Sequence, residues 1–261
     1  MIVDKLCKSD LHLHTNLSCC APKTTAVESY LSLCEAEGVE LLGVSNHLYD
    51  WGGVDRTLQI KHEIDKLRNQ TDIQFLVGCE AEIFYGKELY LTCEMAHNFD
   101  YVLLAPSHIF NFRDRYRDFD LSTPDKARKI MIENFKVACK LDFGIPTGFA
   151  HPLYPICAPW QQEILDGISD ETLRECYTLA AENNKSIEIH ACVYRNTVEL
   201  DDEGLSPIYI KMLRVAKECG CKFHFGSDAH EPSMFIGSHA RLERAAERAG
   251  ITQDDLWEIV K

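Results

Sequence analysis

Nine residues that could ligate a metal lie where short apolar runs of this chain end. His12 and His14 lie in "DLHLHT", His47 in "SNH", Glu80 in "GCEAE" and His108 in "PSH". His151 follows in "AHP", His190 in "EIH", and Asp228 with His230 in "GSDAH". Imidazole with a minority of carboxylate suits zinc, iron or manganese, whereas calcium and magnesium prefer shells of oxygen. A single histidine after a strand is more often a structural group than a ligand. His62, His97, His224 and His239 are assigned that structural role: the first two fall in helical or loop contexts, and His224 lies inside an apolar run. The joint pattern is different, because coincidence would not put a metal-capable group after every run. "SCC" adds the adjacent thiols Cys19 and Cys20, which could belong to a metal site, a redox pair or neither.

Such residues need elements that bring them together. Apolar runs lie near residues 11–13, 41–44, 75–77, 101–105, 148–150, 186–189 and 222–225, and each reads as a short strand. Helical spacing covers 26–37, 56–67, 124–141, 170–182 and 207–219. "STPDKARK" and "SDETLREC" carry helix-start chemistry, with Ser or Thr at the entry and acids in the first turn. The tail "ITQDDLWEI" reads as a last helix. Strand, loop and helix in repetition specify a parallel sheet with crossover helices. Polar residues after nearly every strand favour a closed sheet over an open doubly wound one, which gathers its ligands at one switch point. The expected fold is therefore α/β: a distorted seven-stranded (β/α) barrel, TIM-barrel-like, with outer helices and a single domain over 1–261. Alternation along a strand puts residues i and i+2 on one side. His12 with His14, and Asp228 with His230, would each aim two groups into the mouth where barrel enzymes keep their active sites.

Composition narrows the chemistry. The chain has 261 residues, 46% of them hydrophobic and 26% charged, and a formal net charge of -14. Such an acidic balance disfavours nucleic acid, whose backbone is bound by basic surface. It leaves room for a small phosphate ester, because a metal centre reverses the field locally. The apolar runs are far shorter than the roughly 20 residues of a membrane span. "MIVDKLCKSD" lacks the apolar core of a signal peptide, so a cytoplasmic protein with reduced thiols is expected. Most of the 12 cysteines fall inside apolar segments, where free cysteine packs as a small hydrophobe.

In order, "DLHLHT", "SNH", "GCEAE", "PSH", "AHP" and "GSDAH" resemble the motifs of the polymerase and histidinol phosphatase (PHP) family of metal-dependent phosphoesterases. In length the chain is similar to that family's stand-alone histidinol-phosphatase-like members. The resemblance implies a distorted seven-stranded barrel and a centre of two or three divalent transition-metal ions (Zn, Mn or Fe). His12, His14, Glu80 and Asp228 would hold one ion. Glu80 would bridge to a second, held also by His108 and His151, and His47 and His230 would serve a third. The "GxE" match selects Glu80 over Glu82, although both point the same way on a strand. The chain departs from the family at Cys20, where His or Asp is usual, and at His190, where Asn is more frequent. A Cys20 thiolate could complete the third site or be a plain thiol; Cys19 is not assigned as a ligand. His190 could be a proton carrier, a group behind the ligands or a structural residue.

Two divalent ions against the two carboxylates of Glu80 and Asp228 leave roughly +2, enough to draw a phosphate dianion into an acidic protein. The expected function is hydrolysis of a small-molecule phosphomonoester by a metal-bridging hydroxide held by Glu80 and Asp228, with histidinol phosphate one candidate substrate. Arg195, just beyond the sixth strand, is the expected phosphate contact. The charge-mixed stretch "FRDRYRDFD" is either a solvated loop or one that closes over the substrate. Two alternatives stay open: a nucleotide- or nucleic-acid-directed phosphodiesterase or exonuclease on the same ions, and a non-catalytic metal- or phosphate-binding module.

Overall fold

The computed structural model describes residues 5–84, 89–112, 114, 116–191 and 198–260. Its centre is a set of parallel strands: β1 (Ser9–Asp10), β2 (Leu41–Val44), β3 (His47–Leu48), β4 (Gln74–Glu82), β5 (Tyr101–Ala105), β6 (Thr147–Phe149), β7 (Ser186–His190) and β8 (Phe223–Gly226). They pair in the order β1-β2-β4-β5-β6-β7-β8. The two-residue β3 continues the line of β2 and pairs His47 with Glu80 of β4. The ring closes between its first and last members. Leu11 N–H donates to Phe225 O at 2.8 Å, Asp228 N–H to His12 O at 2.7 Å, and Leu13 bridges Ala229. The result is a nearly closed seven-stranded (β/α) barrel with outer helices.

Two apolar layers hold it. On β4, Phe75, Val77, Cys79 and Ala81 join the large core between strands and helices. A smaller cluster of Leu11, Tyr101, Leu103, Ala105, Ala150 and Trp257 packs separately inside the barrel. The period of two therefore sorts each strand, and Leu76, Gly78, Glu80 and Glu82 form the inward column of β4. That column is apolar low in the barrel and acidic at the top. Glycines make room for the filling: a Cβ on Gly43 would lie 2.3 Å from Tyr101 Oη, and one on Gly78 2.3 Å from Tyr101 Cζ. Tyr101 Oη in turn donates to Leu11 O at 2.6 Å.

The helices among the described residues are α1 (Leu31–Glu37), α2 (Gly53–Leu58), α3 (Ile60–Leu67), α4 (Cys93–Ala96), α5 (Pro124–Cys139), α6 (Gln161–Asp166), α7 (Asp170–Glu182), α8 (Pro207–Glu218), α9 (Pro232–Phe235) and α10 (Ser238–Ala249). Both helix-start motifs act as expected: Thr123 accepts from Lys126 N and Ser169 from Thr172 N. The helical spacing over 56–67 covers two helices that meet at Gln59. The tail corrects the expectation of a last helix. Thr252 and Asp255 form a reciprocal capping box around a 3-10 turn, Gln253–Asp255, after which Leu256 is extended and bridges Phe223, and a second 3-10 turn follows at Glu258–Val260. Trp257 N–H then donates to Phe223 O, and its ring joins the inner cluster at the start of β8. Burying the indole under the barrel outweighs continuing a helix that has only a short apolar face. No helix among the described residues is long and apolar enough to cross a membrane. The described cysteines are free.

Candidate metal centre

The strand ends deliver their polar side chains to one mouth. The β1 ladder stops at Asp10, three residues before the expected end of that strand, so His12 and His14 lie just past it. They still share a face, with their Nε2 atoms 3.1 Å apart. β4 contributes Glu80 and Glu82, and the segments after β5, β6 and β8 contribute His108, His151 and Asp228 with His230. Among the described residues, five overlapping sets have ligand atoms within 4.8 Å of one another: His12–His14–Glu80, His12–His151–Asp228, Glu80–His108–His151, His47–Glu80–Glu82 and His14–His47–His230. All eight candidate metal ligands read from the sequence fall in these sets. Glu80 belongs to three of them, and its side chain is fully buried. Arg195 lies outside the described residues.

Backbone strain accompanies this placement. His151 (φ 33°) and Asp228 (φ 52°) both occupy the left-handed region, which non-glycine residues seldom adopt. Asp tolerates that region better than most residues, and such outliers concentrate at functional sites.

Hydrogen bonds behind the histidines decide which ring nitrogen faces inward. His12 Nδ1 lies 2.6 Å from Glu188 Oε1, and His230 Nδ1 donates to Asp228 O at 3.0 Å. Ser18 gives its proton to Asn46 Oδ1, so its oxygen accepts from His14 Nδ1 at 3.0 Å. Ser107 likewise donates to His151 O and accepts from His151 Nδ1 at 2.7 Å. With each outer nitrogen engaged, the Nε2 atoms of His12, His14 and His151 turn to the centre. There His151 Nε2 lies 3.0 Å from Glu80 Oε1, while Asp228 Oδ1 is 3.4 Å from His12 Nε2 and 3.1 Å from His14 Nε2. Glu80 Oε2 is 2.6 Å from His47 Nδ1, 3.3 Å from His12 Nε2 and 3.4 Å from His14 Nε2. It nonetheless makes no well-formed hydrogen bond, although it is buried. Nitrogens and oxygens this close, aimed at common points rather than along each other's donor directions, suit a divalent cation of the transition series.

Charge is balanced locally. Burial alone would make His12 less basic, but Glu188, Glu80 and Asp228 outweigh it and raise its pKa. Burial acts on His47 in the same sense and is overcome by Glu80. Burial would push Glu80 and Asp228 up, yet neighbouring histidines, His47 for the first and His12 for both, hold each carboxyl well below its usual range. His14, buried and facing His230 and His47, stays neutral. A cation can take the place of the protons on His12 and His47, which ties metal affinity to pH.

Two acids escaped the sequence reading as site residues. Glu82, set aside in favour of Glu80, lies 2.8 Å from His108 Nδ1 and 3.2 Å from His47 Nδ1. Its i+2 relation to Glu80 was the available signal. Glu188, inward on β7, supports His12 and receives the backbone N–H of His151. The same alternation, counted back from His190, would have found it. Cys20 hydrogen-bonds both His230 and His47; burial raises its pKa, but those two bonds prevail and bring it down to about 6. His190 is buried beside the centre, its ring 6.4 Å from that of His151. The four histidines assigned structural roles lie outside the five sets. Among them His224 is hydrogen-bonded with Ser186, and His239 lies 3.3 Å from Asp10. Within the charge-mixed stretch, Phe112 packs on Tyr49 and Tyr116 Oη donates to Ile83 O, while Arg113 and Arg115 lie outside the described residues.

A cavity of about 600 Å³ opens on the centre, lined by His47, His108, His190, Asp228 and His230 on one side. Tyr49, Asn111, Tyr154, Gln161, Glu231 and Met234 form much of the remainder. That volume suits a small organic molecule.

A family model described as "PHP domain" matches residues 10–191. No curated protein matches the chain. Among solved structures the chain is similar to N-isopropylammelide isopropylaminohydrolase from Burkholderia multivorans ATCC 17616. The two are 13% identical with a TM-score of 0.42, over 88% of this chain and 58% of that one. The chain thus spans less than two thirds of that structure's length.

Proposed function

The chain belongs to the PHP domain family, and from that premise we propose that it is a metal-dependent hydrolase acting on a small-molecule phosphomonoester. The observation that supports this most is the inward turn of three imidazole Nε2 atoms onto Glu80 and Asp228, each ring fixed from behind by a carboxylate or hydroxyl. Such support from behind is the usual companion of a ligating histidine.

His12, His14, Glu80 and Asp228 would hold one ion, and Glu80, His108 and His151 a second. His47 and His230 would serve a third, with Cys20 as an added thiolate ligand. Bound there, divalent ions supply charge that stabilises phosphoryl oxygens and acidifies a water. The chain's own residues supply the rest. Glu80 and Asp228 orient the attacking water between them and keep the centre's positive charge from growing too large. The 600 Å³ cavity admits a leaving group of modest size. Arg195 is the proposed further phosphate contact. The ester is a small molecule rather than nucleic acid, in keeping with the net charge of -14.

Purified protein loaded with manganese or zinc should turn over an aryl phosphate and leave a bis-aryl phosphodiester and single-stranded DNA intact. Cleavage of the diester or DNA alone would move the assignment to a phosphodiesterase. No turnover of any of them by fully loaded protein would reduce it to a binding module. Glu80→Ala should abolish turnover and lower the bound metal, and a near wild-type rate would refute its role.

A further inference from the structure

His190 ends β7 and lines the cavity, between the strand ends that carry His151 and Asp228. Its ring is held from two sides. Tyr154 packs edge-on at 5.2 Å and 63°, and Tyr209 at 4.7 Å and 70°. The backbone is held as well: His190 N–H donates to Tyr209 Oη at 3.0 Å, and that hydroxyl gives its proton to Glu188 O at 3.1 Å. The residue is 2% exposed, yet its Nε2 has no hydrogen-bond partner among the described residues. A buried polar atom left unpaired is destabilising, so an idle nitrogen on a residue that lines the cavity points to a ligand.

Neither apolar packing nor the metal sets account for that nitrogen. Leu, Met or Phe would fill the space between two tyrosines without an orphaned polar atom. His190 belongs to none of the five sets that could hold a cation. Its ring lies 6.4 Å from that of His151, which under the function proposed above would hold the second ion.

We propose that His190 is a substrate-binding residue whose Nε2–H donates to a phosphoryl oxygen, supplementing the positive charge of the centre; this rests on the phosphomonoesterase reading. The imidazole acts as a neutral donor. It holds the phosphoryl group and the inorganic phosphate product alike, so its removal weakens binding of both. Binding both states in this way would raise KM with less effect on kcat.

The test uses the metal-loaded full chain, an aryl phosphate as substrate and inorganic phosphate as competitor. His190→Phe keeps the packing between the tyrosines and removes the donor. It should raise KM and the phosphate inhibition constant at least tenfold, as expected for loss of a hydrogen bond to a charged group. His190→Gln restores a donor at similar reach and should stay within about threefold of wild type. Metal content should match wild type in both. Unchanged phosphate inhibition in His190→Phe would overturn the proposal, as would equal losses in the two variants. A second measurement needs no variant to fold: in the zinc-loaded wild type, the imidazole 15N resonance of His190 should shift on adding phosphate, and an unmoved resonance would also overturn it. If wild type binds phosphate but turns over no monoester, the function proposed above fails separately from this contact.

Discussion

At the residue scale, the centre depends on partners standing behind the ligands. Ser107 fixes His151 by accepting from Nδ1, and Ser18 does the same for His14. Ser107→Ala should lower metal affinity by about 10–100-fold, read by chelator competition, while the far-ultraviolet circular dichroism stays unchanged. An affinity equal to wild type would show that Ser107 does not set the ring's tautomer. Cys20 poses a different question. Its thiol hydrogen-bonds His47 and His230, and a pKa of about 6 makes thiolate available near neutral pH. If the thiolate completes the third site, Cys20→Ser should bind one ion fewer per chain by elemental analysis. Equal stoichiometry in the two proteins would remove it from the ligand set. Part of this was legible beforehand: the histidine motifs named the candidate ligands, but Ser18, Ser107 and Glu188 carry no motif. Their role comes from where the folded backbone puts them, across sequence separations of 44 residues for Ser107 and His151 and 176 for His12 and Glu188.

At the element scale, the site is a consequence of strand alternation in a ring of parallel strands. On β4 the inward column runs from Leu76 through Gly78 to Glu80 and Glu82, so one strand supplies filling, clearance and acid in turn. Clearance matters most beside the ligands. A Cβ on Gly226 would lie 1.9 Å from Glu188 Oε1 and 2.6 Å from His12 Cβ, the pair that fixes the first histidine. Gly226→Ala should therefore fold with lowered stability and lose at least tenfold in metal affinity, measured by thermal melting and chelator competition. Retained affinity would mean that the β7 and β8 ends can part without disturbing His12. The apolar runs announced most strands, with 41–44 and 101–105 matching their observed bounds. The first strand and the tail did not announce themselves. His12 and His14 lie beyond the β1 ladder, and the 252–257 segment adopts the conformation that buries Trp257, a demand no local pattern encodes.

For the whole molecule, the two ends of the barrel answer differently to acid. Near the start of β8, His224 is buried against Ser186, and burial lowers its pKa to about 3. An unfolded histidine titrates near 6.5. Between these values the unfolded chain binds a proton that the folded chain refuses, so His224 makes stability fall as pH drops through that window. His12 and His47 act in the opposite sense without metal, because their pKa values are raised by folding. His224→Gln should therefore lose less stability than wild type between pH 7.5 and pH 5, measured by urea unfolding of metal-free protein. An identical pH slope in the two would show that His224 gains a proton inside the fold. Metal loading should raise the melting temperature of wild type, since only the folded chain gathers the ligands; a chelator should reverse it.

Residue types and their intervals determined the chemistry available to this chain: apolar runs long enough for short strands, imidazoles and acids at their ends, and an acidic surface. Those properties are local, and period-two alternation converts them into a prediction of which side chains share a face. Only the tertiary structure decided the rest. Closure of β1 against β8 brings Asp228 to His12, Glu82 joins Glu80, and a nitrogen of His190, which lines the cavity, is left without a partner among the described residues. Each of these depends on distances between segments far apart in the chain, which are set by packing the whole barrel and not by any stretch of it.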